Sequence, residues 1–326
     1  MKTESFHEAN EGEEFSEKWL APLESESDNT NKLKSEYLER FGHESEVLFE
    51  QCAAYLNKLL HDPKFSPFLL KTEEMNLALH RSNELQLVDP VLSPAEFDRF
   101  YSDVSSAGIP LSIRGISEEY IKNHDFLLNY RHTVSAHSSE EAILSTERTA
   151  SLVGKDYGSL RQNVNKIEKT GRCSYMELTT QTREELQELF RNWLATQGAK
   201  YTVNREKADL DYLDFFMENR ENSNFMTRVI DFDNKLCGVF LAEIVRPDSA
   251  ICIINKCLNG YEINGQKYGT SGLSRYLYFK ACKELQGMGV RFMNIGSMGS
   301  ESGTRYNKEI LRPLEKMSNS YKISYL

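Results

Sequence analysis

The residues of this chain best suited to chemistry lie between positions 264 and 313. Gln266, Gly269, Ser271 and Gly272, with Lys267 nearby, run straight into a helical pattern that begins at Leu273. Glycines ahead of a helix N-terminus let backbone N–H groups approach an anion, and the helix dipole favours negative charge there. This stretch therefore suits the phosphates of a donor, the alternative being an ordinary glycine-rich connection. Arg305 and Lys308 are three residues apart, so a helical turn would put both cations on one face. There they could hold a phosphate, a donor carbonyl or an acceptor carboxylate, or form a solvated surface pair. Glu243 sits among Leu241, Ala242, Ile244 and Val245, surroundings that would raise a carboxyl pKa and suit proton abstraction. Strand alternation nevertheless favours the solvent face for it. Tyr306 could act as an acid to a leaving group. All seven histidines fall at or before His137, ahead of this region, so neither a histidine-centred triad nor a zinc site is expected.

A second cationic stretch precedes these residues. Lys155, Arg161, Lys166, Lys169 and Arg172 surround an apolar stripe of Leu160, Val164 and Ile167 at helical spacing. The pattern predicts a basic linker helix over 151–172, either solvated or facing the phosphates of a nucleotide or tRNA.

The elements that must position these groups follow from periodicity. A strand is predicted at 173–178, helices at 183–194 and 201–218, and two strands at 225–232 and 235–245 joined at Asp233-Asn234. A third strand follows at 249–256, then the glycine-containing loop, a helix ending at Gly287-Met288-Gly289, and a buried strand at 290–295. The order is βααβββαβ. Residues 31–60 carry apolar groups at helical spacing, and 66–150 alternate short strands and helices around Pro90 and Pro94, as a small α/β unit does. Residues 1–30 are acidic and poor in apolar groups, which predicts a flexible tail. The expected division is thus a tail at 1–30, N-terminal helices and a degenerate domain at 31–150, the linker helix at 151–172 and a catalytic domain at 173–326.

At 326 residues, 40% hydrophobic and 27% charged, the chain is long enough for two domains. It contains no apolar run of about 18 residues and no basic-then-apolar start, so a cytoplasmic location is expected. The six cysteines form no CxxC pair and read as reduced core residues. A net charge of −10 argues against broad coating of nucleic acid while leaving room for a local basic groove. Nothing in the sequence signals an oligomeric state.

The element order, with a Gln-x-x-Gly-x-small loop before the penultimate helix, resembles the Gcn5-related N-acetyltransferase superfamily. A narrower resemblance rests on two segments. Gly154, Lys155, Tyr157, Leu160, Arg161, Asn163 and Asn165, followed by Asn294, Gly303, Arg305, Lys308 and Pro313, look like the two signature regions of the phosphatidylglycerol lysyltransferase C-terminal-domain family. This resemblance spans roughly 80–326 and implies an α/β fold of the α+β kind. Two acetyltransferase-like domains are expected, each a mixed, mostly antiparallel sheet flanked by helices. It also implies an acyltransferase whose co-substrate is aminoacyl-tRNA or acyl-CoA, with no permanently bound cofactor. Such an enzyme must hold donor phosphates, stabilise an oxyanion and accept a proton from an amine or hydroxyl. The acceptor would be a small molecule, lipid or peptide, and tRNA would meet the basic stretch from Lys155 to Arg172. Asn255 and Asn294 end strands where superfamily sites open, and so could donate hydrogen bonds. Where the family's acidic patch would fall, this chain has Gly296, Ser297 and Met298. That departure leaves the transferred group open, and a non-catalytic binding module is a third expectation.

Overall fold

The computed structural model describes residues 15–23, 52–62, 64–81, 83–136, 140–179, 181–197, 203–263, 265–298, 302–314 and 320–325. By contacts the chain divides into two units, one of 1–140 with 318–326 and one of 141–317.

In the first unit the sheet runs β1 (Leu20–Pro22), β2 (Ser66–Leu70), β3 (Asn76–Arg81), β4 (Glu84–Val88), β5 (Leu111–Ile116), β15 (Tyr321–Tyr325) and β6 (His132–Ala136). Only the β4–β5 pair is parallel. The flanking helices are α1 (Ala53–His61), α2 (Pro94–Ser106) and α3 (Glu118–Asn123). Helix α2 starts where it does because Ser93 and Glu96 form a reciprocal capping box with Pro94 at the first position. Its Phe97, Phe100 and Val104 then face the core. Within the predicted tail, residues 15–23 are ordered into this unit. Phe15, Trp19, Leu20 and Leu23 are buried, Trp19 meets Phe100 edge-on at 5.3 Å, and its indole donates to Asp103 at 2.7 Å. Four apolar residues among many acidic ones escape a composition average yet suffice to anchor the segment. Residues 1–14 and 24–30, and the helical pattern over 31–51, lie outside the described residues.

The second unit carries the predicted βααβββαβ order almost residue for residue. Its sheet runs β7 (Glu141–Ser145), β14 (Phe292–Ser297), β11 (Ser249–Cys257), β10 (Leu236–Arg246), β9 (Phe225–Phe232) and β8 (Cys173–Glu177). Only β11 and β14 are parallel. The β9–β10 hairpin turns at Asp233 and Asn234, both at positive φ (57° and 58°), as a two-residue hairpin of right-handed twist requires.

Helices α5 (Gly158–Glu168) and α8 (Leu273–Gly287) share one core cluster with this sheet and α4 (Thr146–Ser151) packs on α8, while α6 (Arg183–Gln197) packs on β10 and β11 and meets α7 (Val203–Glu218). The segment predicted as a linker is therefore an integral layer of the second unit. Leu160, Val164 and Ile167 of α5 are buried against α8, and the division falls between Glu140 and Glu141 because β7 pairs with β14. Helix α9 (Ser302–Glu309) follows β14. A hairpin that the sequence pattern does not announce, β12 (Tyr261–Ile263) and β13 (Gln266–Tyr268), occupies the loop before α8. Five of the six cysteines are buried free thiols and Cys173 is half-buried.

Helix α8 is fastened at its C-terminal half by a polar triad. Tyr175 donates to Glu284 at 2.8 Å, and Arg228 Nε donates to the same carboxylate at 3.0 Å. Burial pushes the Glu284 carboxyl up, but hydrogen bonds from Arg228 and Tyr175 outweigh it and leave the group below the usual carboxylate range. A folded value below the unfolded one, about 4.3, means that the contribution is complete above that pH and is lost as the pH falls through the folded value. Glu284→Gln is expected to lower stability at neutral pH and to flatten its decline in acid, read from urea midpoints across pH 3 to 7.

Candidate active site

The residues with chemical potential converge where β11 and β14 part. These strands pair only over Ser249–Phe292, Ala250–Met293 and Ile251–Asn294. Beyond that, β11 continues to Cys257 and β14 to Ser297 without pairing to each other, so the sheet opens between these two parallel strands. Helix α8 starts beside one arm and α9 follows the other.

On the α8 side, Asn255 donates to the Ser274 carbonyl at 3.2 Å and accepts from the Ser274 hydroxyl at 3.2 Å. Asn259 accepts from the Ser274 amide at 3.0 Å, while the Leu273 amide donates to the Thr270 carbonyl at 3.2 Å. Two amides of the first turn of α8, next to the loop offered to a phosphate, are thus already used by the chain. The glycines have steric reasons as well. A Cβ on Gly269 would lie 1.9 Å from the Leu258 carbonyl oxygen, and one on Gly272 would lie 1.9 Å from Asn163 Nδ2. Gln266 is exposed in β13, accepting from the Tyr268 hydroxyl at 3.0 Å, and Ser271 and Lys267 are exposed. Asn163, from the first signature segment, donates to the Ser271 carbonyl at 3.3 Å. The two motifs, distant in sequence, are therefore in contact.

Arg161 points elsewhere than expected. Its guanidinium donates to the carbonyls of Leu152 and Gly154, closing the end of α4, so it is a structural clamp and not part of an open cationic face. Arg172 pairs with Asp233. Lys155, Lys166 and Lys169 remain exposed on this segment.

Across the opening, Lys308 and Arg305 do not act as a pair. Lys308 Nζ donates to three carbonyls at the end of β14, those of Ile295 at 2.5 Å, Gly296 at 3.0 Å and Ser297 at 2.6 Å. Arg305 bonds Glu309 at 3.2 Å on the exposed side, and Tyr306 is 62% exposed. The carbonyls converge on Lys308 because β14 is bulged there. Asn294 faces Ile143 and Ser297 faces Glu141, so three steps on β14 match two on β7, with Gly296 at φ 71°.

Glu243 is 1% exposed, which corrects the expected solvent orientation. It faces Ile251, which in turn faces Asn294, so the carboxylate and the amide flank one isoleucine on the same face of the sheet. The alternation along β10 is unbroken up to Glu243, which shares a face with Val239 and Leu241, both fully buried; α6 packs on β10, so neither face of the strand is open to solvent there. Asn294 is 2% exposed and donates to Glu141 at 2.6 Å, while its Oδ1 accepts from the Gly296 amide at 2.7 Å. Nothing local marks Glu141, an acidic residue opening the apolar run Ala142-Ile143-Leu144. It supplies a carboxylate opposite Ser297, within the stretch where the family's acidic patch is missing. Asp209 and Lys256 form a buried ion pair at 2.7 Å, with the ammonium 3.6 Å from the Trp193 ring centroid. Burial pushes the Cys252 thiol up to about 12, with Lys308 opposing that shift, so it is no thiolate nucleophile. The Tyr278 phenol, hydrogen-bonded to Cys252 and Asn255, is raised well above its usual range by burial and stays protonated.

Comparison with known proteins fits this geometry. The fold is shared with a conserved protein of unknown function from Bacteroides thetaiotaomicron VPI-5482 (TM-score 0.76, 11% identity, covering 94% of this chain and 99% of that one). It is shared with L-PGS from Bacillus licheniformis (0.60, 16%, 90% and 91%) and with a tandem GNAT protein from the clavulanic acid biosynthesis pathway (0.51, 10%, 94% and 98%). Such identities show the acetyltransferase-like fold alone. No curated protein sequence matches the chain. The family model described as phosphatidylglycerol lysyltransferase, C-terminal, matches residues 71–319. With its two mostly antiparallel sheets flanked by helices, the chain belongs to the phosphatidylglycerol lysyltransferase C-terminal family.

Proposed function

We propose that the second unit transfers an aminoacyl group from aminoacyl-tRNA to a hydroxyl or amine, with a lipid headgroup, as the family name suggests, the first acceptor to try. The reaction is an acyl exchange. The acceptor oxygen or nitrogen attacks the ester carbonyl, its proton passes to the base, and the ribose oxygen leaves and is protonated. Glu243, buried between β9 and β11, is the base in this reading, and Asn255 and Tyr306 are hydrogen-bonding candidates; Asn294, whose amide is taken at both ends by Glu141 and the Gly296 N–H, is not one. The observation that carries the choice of donor is the start of α8, where Asn259 and Thr270 already accept the Ser274 and Leu273 amides, leaving the first turn with fewer N–H groups for a pyrophosphate. The exposed Lys155, Lys166 and Lys169 offer a polyphosphate backbone an alternative hold. Among the described residues no helix is long and apolar enough to cross a membrane, so a lipid acceptor would be met at the bilayer surface.

Filter binding with tRNA in 50 mM salt tests this reading. Binding that weakens steeply with salt is expected, and the Lys155→Ala/Lys166→Ala/Lys169→Ala variant should lower the log–log salt slope by roughly two to three. Transfer of labelled lysine or alanine from charged tRNA to phosphatidylglycerol vesicles is the activity readout. A second reading, an acyl-CoA donor, is favoured by the end of β11–β14 pairing after Ile251 and Asn294, with the glycine loop following β11. Absent tRNA binding together with a thermal shift on adding excess acetyl-CoA would select it.

A further inference from the structure

The buried carboxylate of Glu141 has no role in the chemistry described so far, and its position calls for one. A carboxylate taken from water is costly unless charge and hydrogen bonds compensate it, yet Glu141 is 2% exposed at the start of β7, the edge strand of the second sheet. Its Oε2 accepts from Asn294 Nδ2 at 2.6 Å. The orientation of the Asn294 amide is thereby settled, because turning it over would set its oxygen against a carboxylate and its NH2 against the Gly296 N–H. With the amide so held, Asn294 Oδ1 captures the Gly296 amide at 2.7 Å inside the bulge. Gly296 at φ 71° turns the chain so that the carbonyls of Ile295, Gly296 and Ser297 all reach Lys308. A continuous path runs from Glu141 through Asn294 and the bulge to Lys308, at the point where β14 leaves β11.

We propose that Glu141 is a positioning residue that locks the Asn294 amide and through it sets the bulged edge of β14 that faces the substrate. This rests on the transferase reading for its kinetic consequence, though not for the geometry itself. Glu141 reaches substrate only through Asn294.

The test uses the full chain and a reciprocal exchange. Asn294→Asp sets two carboxylates against each other. It is expected to lower kcat for aminoacyl transfer at least tenfold with KM for the charged tRNA unchanged, and to speed hydrogen exchange of the Gly296 amide. Adding Glu141→Gln restores a donor and an acceptor with their places exchanged. The new amide on β7 then donates to the new carboxylate on β14, which still accepts from the Gly296 N–H. The double variant should recover kcat to within about threefold of the parent and restore slow exchange at Gly296. A merely structural role predicts that Asn294→Asp shifts the urea midpoint and Gly296 exchange, both restored by the exchange, while kcat stays at the parent value throughout. The proposal is overturned if the double variant is no better than Asn294→Asp, or if Asn294→Asp leaves either kcat or Gly296 exchange unchanged. Should the parent protein transfer from no charged tRNA, the transferase reading fails by itself. Exchange at Gly296 across the three proteins then decides the role of Glu141.

Discussion

Lys308→Met is expected to abolish detectable transfer, a loss of at least a hundredfold, and to lower the unfolding free energy by about 2 kcal/mol. The stability figure follows from removing a charged donor that serves three carbonyls, since hydrogen bonds to charged groups contribute about 1.5–3 kcal/mol and, of the three residues, only Ser297 is exposed enough to regain water. The larger kinetic effect follows from place. The three carbonyls belong to Ile295, Gly296 and Ser297, on the arm of β14 that bounds the opening, and without the ammonium they would turn away from one another. Lys308→Arg should not rescue activity, because a planar guanidinium directs its donors in a fork and cannot converge them on three neighbouring oxygens as an ammonium does. Arg305→Ala is the contrast. Its pair with Glu309 is about half exposed on both sides, and such pairs contribute about 0–1 kcal/mol, so stability should change by less than that. Equal losses of stability and activity in the Lys308 and Arg305 variants would refute the separation of roles drawn here. Transfer assays and urea midpoints on the same preparations make the comparison.

Gly269→Ala should destabilise the second unit by about 3 kcal/mol, among the largest single-residue effects expected in this chain. Two terms add. The backbone there has φ 65°, where a side chain costs roughly 1 kcal/mol, and the new Cβ would lie 1.9 Å from the Leu258 carbonyl oxygen, which is backbone and can yield only by moving β11. Gly265→Ala isolates the first term, since φ is 73° and nothing lies within 4 Å; about 1 kcal/mol is expected. Gly272→Ala falls between, because its obstacle is the Asn163 side chain, and Gly272→Ala/Asn163→Ala should return part of the loss. Were these glycines present only to admit a phosphate, Gly269→Ala would unfold at the parent's denaturant midpoint and lose donor affinity instead. The urea series separates the two roles.

How much of this was legible beforehand varies by level. The order of elements in the second unit, the turn at Asp233-Asn234 and the start of α8 could be read because each depends on residues within a few positions of one another, where helical and strand periodicities and turn preferences act. The two signature segments pointed to the family for the same reason, being short strings. Their meaning could not be read. Arg161 reads as a phosphate ligand in a cationic string and proves to be a clamp on Leu152 and Gly154, because charge along a helix does not say which carbonyl lies above it. Composition also hid the anchoring of Phe15 and Trp19, whose burial depends on Phe100 far along the chain.

The sequence by itself determined the order of the main helices and strands from Cys173 to Ile295, while Asn294, expected to end its strand, lies inside β14, which runs on to Ser297. Only the tertiary structure decided that Glu243 faces inward, that Lys308 leaves Arg305 for the backbone of β14, and that Glu141 meets Asn294 across 153 positions. The physical reason is packing between distant segments. Helix α6 lies on β10, whose Glu243 shares a face with the buried Val239 and Leu241, and the bulge of β14 against β7 turns three carbonyls toward Lys308, choices made between segments that carry no local record of one another.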